Sequence, residues 1–260
     1  MFDAPLDLKA ARVLVTNDDG IDAPGMQVLE WVAATVAREV WVVAPEQEQS
    51  GAGHSLTLRR PLRIREVSTR RYAVDGTPTD CVMLAVKHLM KSQRPDLVLS
   101  GVNRGANMGE DVTYSGTIAA AMEGTLLGIP SIALSLHTED RGLPQWETVK
   151  TLAPGVIQQV MQLHWPRNCL LNINFPDRTA AEALDTEITT EGRRKIGDAI
   201  QQGTDPRGEK YFWIGAQRDE DRFAQGTDLE AIYRGAVSVT PLSLDLTDRV
   251  MLDRLKGYFS

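Results

Sequence analysis

Five short apolar runs rich in branched residues recur along this chain, at residues 13–16, 40–44, 95–100, 131–136 and 170–175, and they constrain the fold more than any other feature. In 40–44 the apolar character is continuous, without the in-out alternation of a half-exposed strand, so both faces of that run are expected to be buried. Only a parallel sheet with helices on its two sides buries strands in that way. Parallel neighbours need crossover segments, and helical patterns occupy the intervals. Residues 24–37 place Val28, Leu29, Val32, Ala33 and Val36 on one face behind a Pro24 start. Thr77-Pro78-Thr79-Asp80 reads as an N-cap, a first-turn proline and a capping box, opening a helix to about Met90 with His88 at its cation-favouring end. A small-residue helix is expected over 118–127, and a helix kinked or divided by Pro154 over 145–164. The expected class is α/β.

Sheets of this kind bind ligands beyond the carboxyl ends of their strands, so the segments that follow the apolar runs carry the functional reading. The first run empties into Asn17-Asp18-Asp19-Gly20. Two adjacent carboxylates repel each other, and a divalent cation relieves that cost. The second run leads into a Gln/Ser/Gly segment at 45–55 that contains Ser50 and His54, and the third into a Gly/Asn segment at 101–109 that contains Asn103. If those strands are neighbours, Asp18, Asp19, Ser50 and Asn103 converge as a hard oxygen-donor set suited to Mg²⁺, Mn²⁺ or Ca²⁺ rather than zinc or copper. Ser115 and Thr117 open the helix at 118–127, where free backbone N–H groups make an anion site. The four histidines include no pair at metal spacing, and only His54 is placed to touch a substrate.

Composition excludes several classes. A net charge of -7 argues against a duplex nucleic-acid binder. Cys81 and Cys169 stand in apolar surroundings without CxxC spacing and read as buried free thiols. The start of the chain lacks the pattern of a signal peptide. Residues 118–136 are nearly uncharged, but Glu123, Gly128 and Pro130 mark a buried helix and strand rather than a membrane span. A cytoplasmic protein is expected. No GxxxxGK[ST] loop, GxSxG elbow or Asp-x-Asp-x-Thr arrangement is present, and Gly51-Ala52-Gly53 lacks the third glycine of a dinucleotide fingerprint.

Two further regions are less regular. Residues 58–64 and 71–74 alternate and suggest an antiparallel excursion. Beyond Pro176 the texture becomes charged and glycine-punctuated, with a hairpin around Tyr211-Phe212-Trp213-Ile214. The alternating stretch 236–242, ended by a proline, implies a strand with one open or partner-facing side. A division into a core at 1–176 and an elaboration at 177–260 that mediates oligomerisation is expected.

Taken in order, several motifs resemble the SurE family of survival-protein nucleotidases. They are Asn17-Asp18-Asp19-Gly20 with Ala23-Pro24-Gly25, Val43-Ala44-Pro45 with Ser50-Gly51, Gly76-Thr77-Pro78-Thr79-Asp80-Cys81-Val82, Ser100-Gly101-Val102-Asn103 with Gly105 and Asn107, and Tyr114-Ser115-Gly116-Thr117 with 119–124. Asp205-Pro206-Arg207-Gly208 and 237–242 carry the likeness almost to the end of the chain. The resemblance implies a Rossmann-like three-layer core and metal-dependent hydrolysis of nucleoside 5′- and 3′-monophosphates in the cytoplasm. It also implies homodimers or homotetramers built through exchanged C-terminal segments.

Carried onto this chain, the family's metal ligands fall on Asp18, Asp19, Ser50 and Asn103, for one divalent ion. Its phosphate contacts fall on Asn107, Ser115, Gly116 and Thr117. Asp18 is expected to orient or deprotonate the attacking water beside Asp19, with Asn107 and Ser115 holding the phosphoryl oxygens. Gln47-Glu48-Gln49 stands where relatives often carry basic or asparagine residues, which bears on substrate range. A broad-specificity phosphatase or exopolyphosphatase would use the same metal site. A non-catalytic nucleotide-binding module would need the glycine-rich segments but not the paired acids, and a third reading takes the chain chiefly as an oligomerisation scaffold.

Overall fold

A computed structural model describes residues 5–139, 142–196, 200–214 and 218–259. In chain order the elements begin with β1 (Arg12–Thr16), α1 (Pro24–Val36), β2 (Glu39–Pro45), β3 (Ile64–Ser68), β4 (Arg71–Val74), α2 (Pro78–Leu84), β5 (Leu97–Arg104) and α3 (Gly116–Leu126). There follow β6 (Ser131–Leu136), α4 (Trp146–Val160), β7 (Cys169–Phe175), β8 (Leu184–Ile188), β9 (Arg194–Ile196), β10 (Ile200–Thr204) and β11 (Lys210–Ile214). The last are β12 (Arg218–Glu220), α5 (Asp228–Arg234), β13 (Ala236–Ser243) and α6 (Arg249–Phe259).

The central sheet runs β3-β4-β2-β1-β5-β6-β7-β13-β8, and the six strands from β4 to β7 are mutually parallel. Chain order reverses direction at β1: β2 and β4 lie to one side, β5, β6 and β7 to the other. The gap between the carboxyl ends of β1 and β5 is therefore the topological switch point, where a doubly wound sheet forms its crevice. The sequence expectation of a mainly parallel α/β fold holds.

Three layers follow from where the apolar side chains point. On one face α1 buries Val28, Leu29, Val32, Ala33 and Val36 together with Val149, Ala153 and Ile157 of α4. Each large aliphatic side chain buried there contributes about 1.5–3 kcal/mol. On the other face Cys81, Val82 and Ala85 pack with Leu14, Val98 and Ala120. The helix α2 begins as its residues dictate: Thr77 accepts from the Asp80 backbone N–H, Asp80 reciprocates, and Pro78 fills the first turn. It passes into a π-type turn at Ala85–Leu89 and ends by Met90, with His88 in the last turn.

Several local expectations change. The first alternating segment forms no strand before Ile64, because Pro61 lacks an N–H and the Arg63 N–H donates to the Asp75 carboxylate instead of a ladder. β3 and β4 are antiparallel to each other, yet β4 pairs parallel with β2 and so extends the main sheet. Pro154 does not divide α4, which runs undivided through it. Cys81 is a buried free thiol, while Cys169 is only half-buried. β13 has no open face over its first five residues, all of which are buried: Val237 and Val239 join the apolar core, and Ser238 and Thr240 meet the Thr189 hydroxyl. Pro241 sits inside β13 rather than ending it, beyond the last residue paired with β8.

The segment after β8 contrasts with this core. β10 and β11 form the expected antiparallel hairpin, but Ile200, Tyr211, Phe212, Trp213 and Ile214 are all exposed. The helix α6 buries no residue while carrying Val250, Met251, Leu255, Tyr258 and Phe259. Among the described residues, no helix is long and apolar enough to cross a membrane.

Candidate active site

A cleft of about 710 Å³ opens at the carboxyl ends of β1, β2 and β5. Asp18, Asp19, Ser50, Asn103, Asn107 and Ser115 all line it. Asp18 and Asp19 stand on the turn after β1, which is closed by the buried Asn17, whose amide donates to the Gly20 carbonyl at 2.8 Å. The Ser50 segment is fastened to that turn by the Gln49 N–H on the Asp18 carbonyl at 2.8 Å. On its other side the Gly53 N–H reaches the Tyr114 carbonyl at 3.2 Å, and His54 Nε2 lies 3.1 Å from Glu123 Oε2. His54 thus ties the Ser50 segment to α3 and is not among the residues that line the cleft.

The anion side is joined directly to the acid side. Ser115 caps α3 by accepting from the Ile118 N–H at 3.1 Å, and Thr117 Oγ1 in the first turn donates to Asp18 Oδ1. Gly116 permits this approach, since a β-carbon there would sit 2.7 Å from the Asp18 β-carbon. Asn107 is held from behind. Its backbone N–H donates to Asn174 Oδ1 at 2.9 Å, its carbonyl accepts from Asn172 and Asn174, and its side-chain nitrogen donates to Ser135 Oγ at 2.8 Å. One N–H of that side-chain amide remains for a ligand.

Electrostatics distinguish the two sides. Burial pushes the Asp18 carboxyl above its ordinary value, against the pull of the Thr117 hydrogen bond. Asp19 is pushed up to about 7, first by burial and then by the charge of Asp18. Glu48 adds to the repulsion, and the backbone N–H and charge of Arg104 offset part of it. A cation placed between these carboxylates would lower both.

The neutral donors fit such a cation. Asn103 has its side-chain N–H engaged by the Gly105 carbonyl at 2.7 Å, which leaves its carbonyl oxygen as the ligand atom. The Ser50 hydroxyl donates to Glu48 Oε1 at 2.7 Å, which leaves lone pairs on Oγ. Two carboxylates with an amide and a hydroxyl oxygen are donors for a hard divalent ion that keeps several waters. Among the described residues, no trio of His, Cys, Asp and Glu side chains is gathered to hold a metal.

Other cleft residues received no site role from the sequence. Arg104 follows Asn103 in the Gly/Asn segment, Tyr114 precedes the helix cap, and Pro144 with Trp146 closes the far wall at the start of α4. Asp111, 8% exposed, also lines the cleft and pairs with the buried Arg194 of β9 at 3.3 Å.

Comparison with known proteins agrees along the chain. The family model described as survival protein SurE matches residues 13–198. A protein of Paramagnetospirillum magneticum named 5′-nucleotidase SurE is 60% identical over 258 residues, covering 99% of each chain. One of Rhodospirillum rubrum with the same name is 53% identical over 262 aligned positions, covering all of both chains. The crystal structure of SurE protein from Aquifex aeolicus superposes with a TM-score of 0.83 at 38% identity, covering 96% of this chain and 100% of that one.

Proposed function

The chain belongs to the SurE survival-protein family, and from that membership we propose that it hydrolyses nucleoside 5′-monophosphates, and 3′-monophosphates, to nucleoside and phosphate with one divalent cation. The observation that carries this reading is the junction of the two sides of the cleft. The Asp18 carboxylate lies against the first turn of α3 through Gly116 and Thr117, so a cation on the acids and an anion on the helix start would share one boundary. Asp18, Asp19, Ser50 and Asn103 would hold the cation, Mg²⁺ or Mn²⁺ by donor chemistry.

When bound, the ion neutralises phosphoryl charge and makes a bound water more acidic. The chain supplies the rest. Asp18, fixed by Thr117, orients the attacking water and accepts its proton. Ser115, the first turn of α3 at Gly116 and Thr117, and the free N–H of Asn107 bind the phosphoryl oxygens. The start of α3 adds about 0.3–2 kcal/mol of anion stabilisation, secondary to the ion.

Residues 1–176 form the catalytic core in this reading, and 177–260 complete the subunit and join it to further copies as a homodimer or homotetramer. The exposed apolar residues of the β10–β11 hairpin and α6 support that assembly. The unpaired Cys81 and Cys169 suit the cytoplasm. The test is phosphate release from 5′- and 3′-nucleoside monophosphates, a generic phosphoester and polyphosphate, each with Mg²⁺, Mn²⁺ or EDTA. Cation-dependent release from the nucleotides is expected. Release that persists in EDTA, or that favours polyphosphate, overturns the proposal.

A further inference from the structure

Asp111 sets an acid on the wall of a cleft that is read above as taking a phosphate. A carboxylate so placed weakens anion binding unless its charge is cancelled, and burial strengthens the effect because little water screens it. Arg194 stands behind that wall. Its side chain is 6% exposed, its Nε lies 3.3 Å from Asp111 Oδ2 and 3.4 Å from Glu220 Oε2, and Glu220 has further partners in Tyr233 and Arg222.

The two segments are also locked through the backbone. The carboxylate of Asp228 accepts the Gly109 N–H at 2.9 Å and the Gly192 N–H at 2.8 Å, and the Arg194 N–H donates to Glu110 Oε2 at 2.5 Å. Gly109, at φ +51°, approaches so closely that a β-carbon there would lie 2.8 Å from the Gly192 carbonyl. The short turn Gly109–Thr113 that carries Asp111 leads straight into Tyr114 and the Ser115 cap. Arg194, distant in sequence, is therefore fixed against the base of the anion side.

We infer that Arg194 is a positioning residue for substrate binding, whose guanidinium cancels the Asp111 carboxylate and so keeps the cleft receptive to a phosphate. The inference rests on the phosphomonoesterase reading, and its test separates the two. KM and kcat for a nucleoside monophosphate and the inhibition constant of inorganic phosphate are measured for the wild type, Arg194→Met, Arg194→Lys, Asp111→Asn and the Arg194→Met/Asp111→Asn pair, with Tm for each.

Arg194→Met is expected to raise KM and the phosphate constant about tenfold, which corresponds to about 1.4 kcal/mol, with kcat changed less than about threefold. The double variant is expected to recover most of that loss, and Arg194→Lys to retain binding. Asp111→Asn alone is expected to bind phosphate as tightly as the wild type or tighter. A pair no better than Arg194→Met overturns the inference, because a buttress alone would not be rescued by removing the acid. Should Arg194→Met not fold, weaker phosphate binding by Asp111→Asn or by folded Arg194→Lys overturns it instead. A wild type that releases no phosphate from nucleotides defeats the functional reading; calorimetric titration of inorganic phosphate into the same variants then decides the role of Arg194.

Discussion

The two sides of the cleft are stabilised in opposite ways. Around Asn107 the donors and acceptors of the protein meet one another: Asn172, Asn174 and Ser135 fix its backbone and side chain before any ligand arrives. Around Asp18 and Asp19 two carboxyl groups are crowded, and burial with the neighbouring Asp18 pushes the pKa of the second up to about 7. One side is preorganised, and the other waits for a counter-charge. The comparison teaches where loss of function should fall. Damage on the acid side should remove the chemical step, whereas damage on the anion side should weaken binding.

The largest effect is expected from Asp18→Asn, which should lower phosphate release by about a thousandfold or more, given the several kcal/mol a catalytic cation contributes. Circular dichroism should show the fold intact, and near-normal turnover would break the contrast. Next, Mg²⁺ or Mn²⁺ added to EDTA-treated protein should raise Tm, by the equivalent of about 2.7 kcal/mol at a hundredfold excess over Kd. Asp19→Asn should abolish most of that rise, a readout independent of activity. A smaller change is expected for Ser115→Ala, which removes the cap of α3 at about 1 kcal/mol of stability. Its KM should rise about fivefold to tenfold with little change in kcat, and an equal fall in kcat would erase the distinction between the sides.

The smallest effect concerns the support behind the anion side. His137 is buried against Tyr233 with ring centroids 5.2 Å apart, and burial first, then the Arg194 charge, lowers its pKa from 6.5. Well above 6.5 it is neutral in folded and unfolded chains alike and has no effect on the balance. As pH falls below 6.5 the unfolded chain takes the proton first, so stability should decline toward the lowered folded value. Denaturant midpoints from pH 7.5 to 5 should show the decline, and His137→Gln should flatten it.

Much of the fold was legible because buried parallel strands are written as short apolar runs, as in 13–15, where Val13, Leu14 and Val15 are all buried. β13 misled because its inward polar residues are satisfied by one hydroxyl just beyond β8. Thr189 Oγ1 lies 2.8 Å from Ser238 Oγ and 2.7 Å from Thr240 Oγ1, so hydroxyls that look solvent-facing are paired inside the sheet. The meeting of Asp18, Asp19, Ser50 and Asn103 in one cleft was readable from their places at strand ends beside a switch point. The pairing of Asp111 with Arg194 was not, since a tertiary ion pair between distant segments leaves no local pattern. Trp146 was hidden for a related reason, because a residue at a helix start looks the same whether or not a cleft lies beside it.

Pro241 has a consequence for self-association. The Thr189 N–H donates to the Val239 carbonyl, while the Leu244 N–H donates to the Asn168 carbonyl on the β7 side. By alternation the ring nitrogen of Pro241 faces away from β7, on the flank that β8 leaves uncovered. The ladder with β7 therefore loses no hydrogen bond. A foreign strand sliding along that flank meets a missing donor, so this stretch is a poor template for fibrillar stacking.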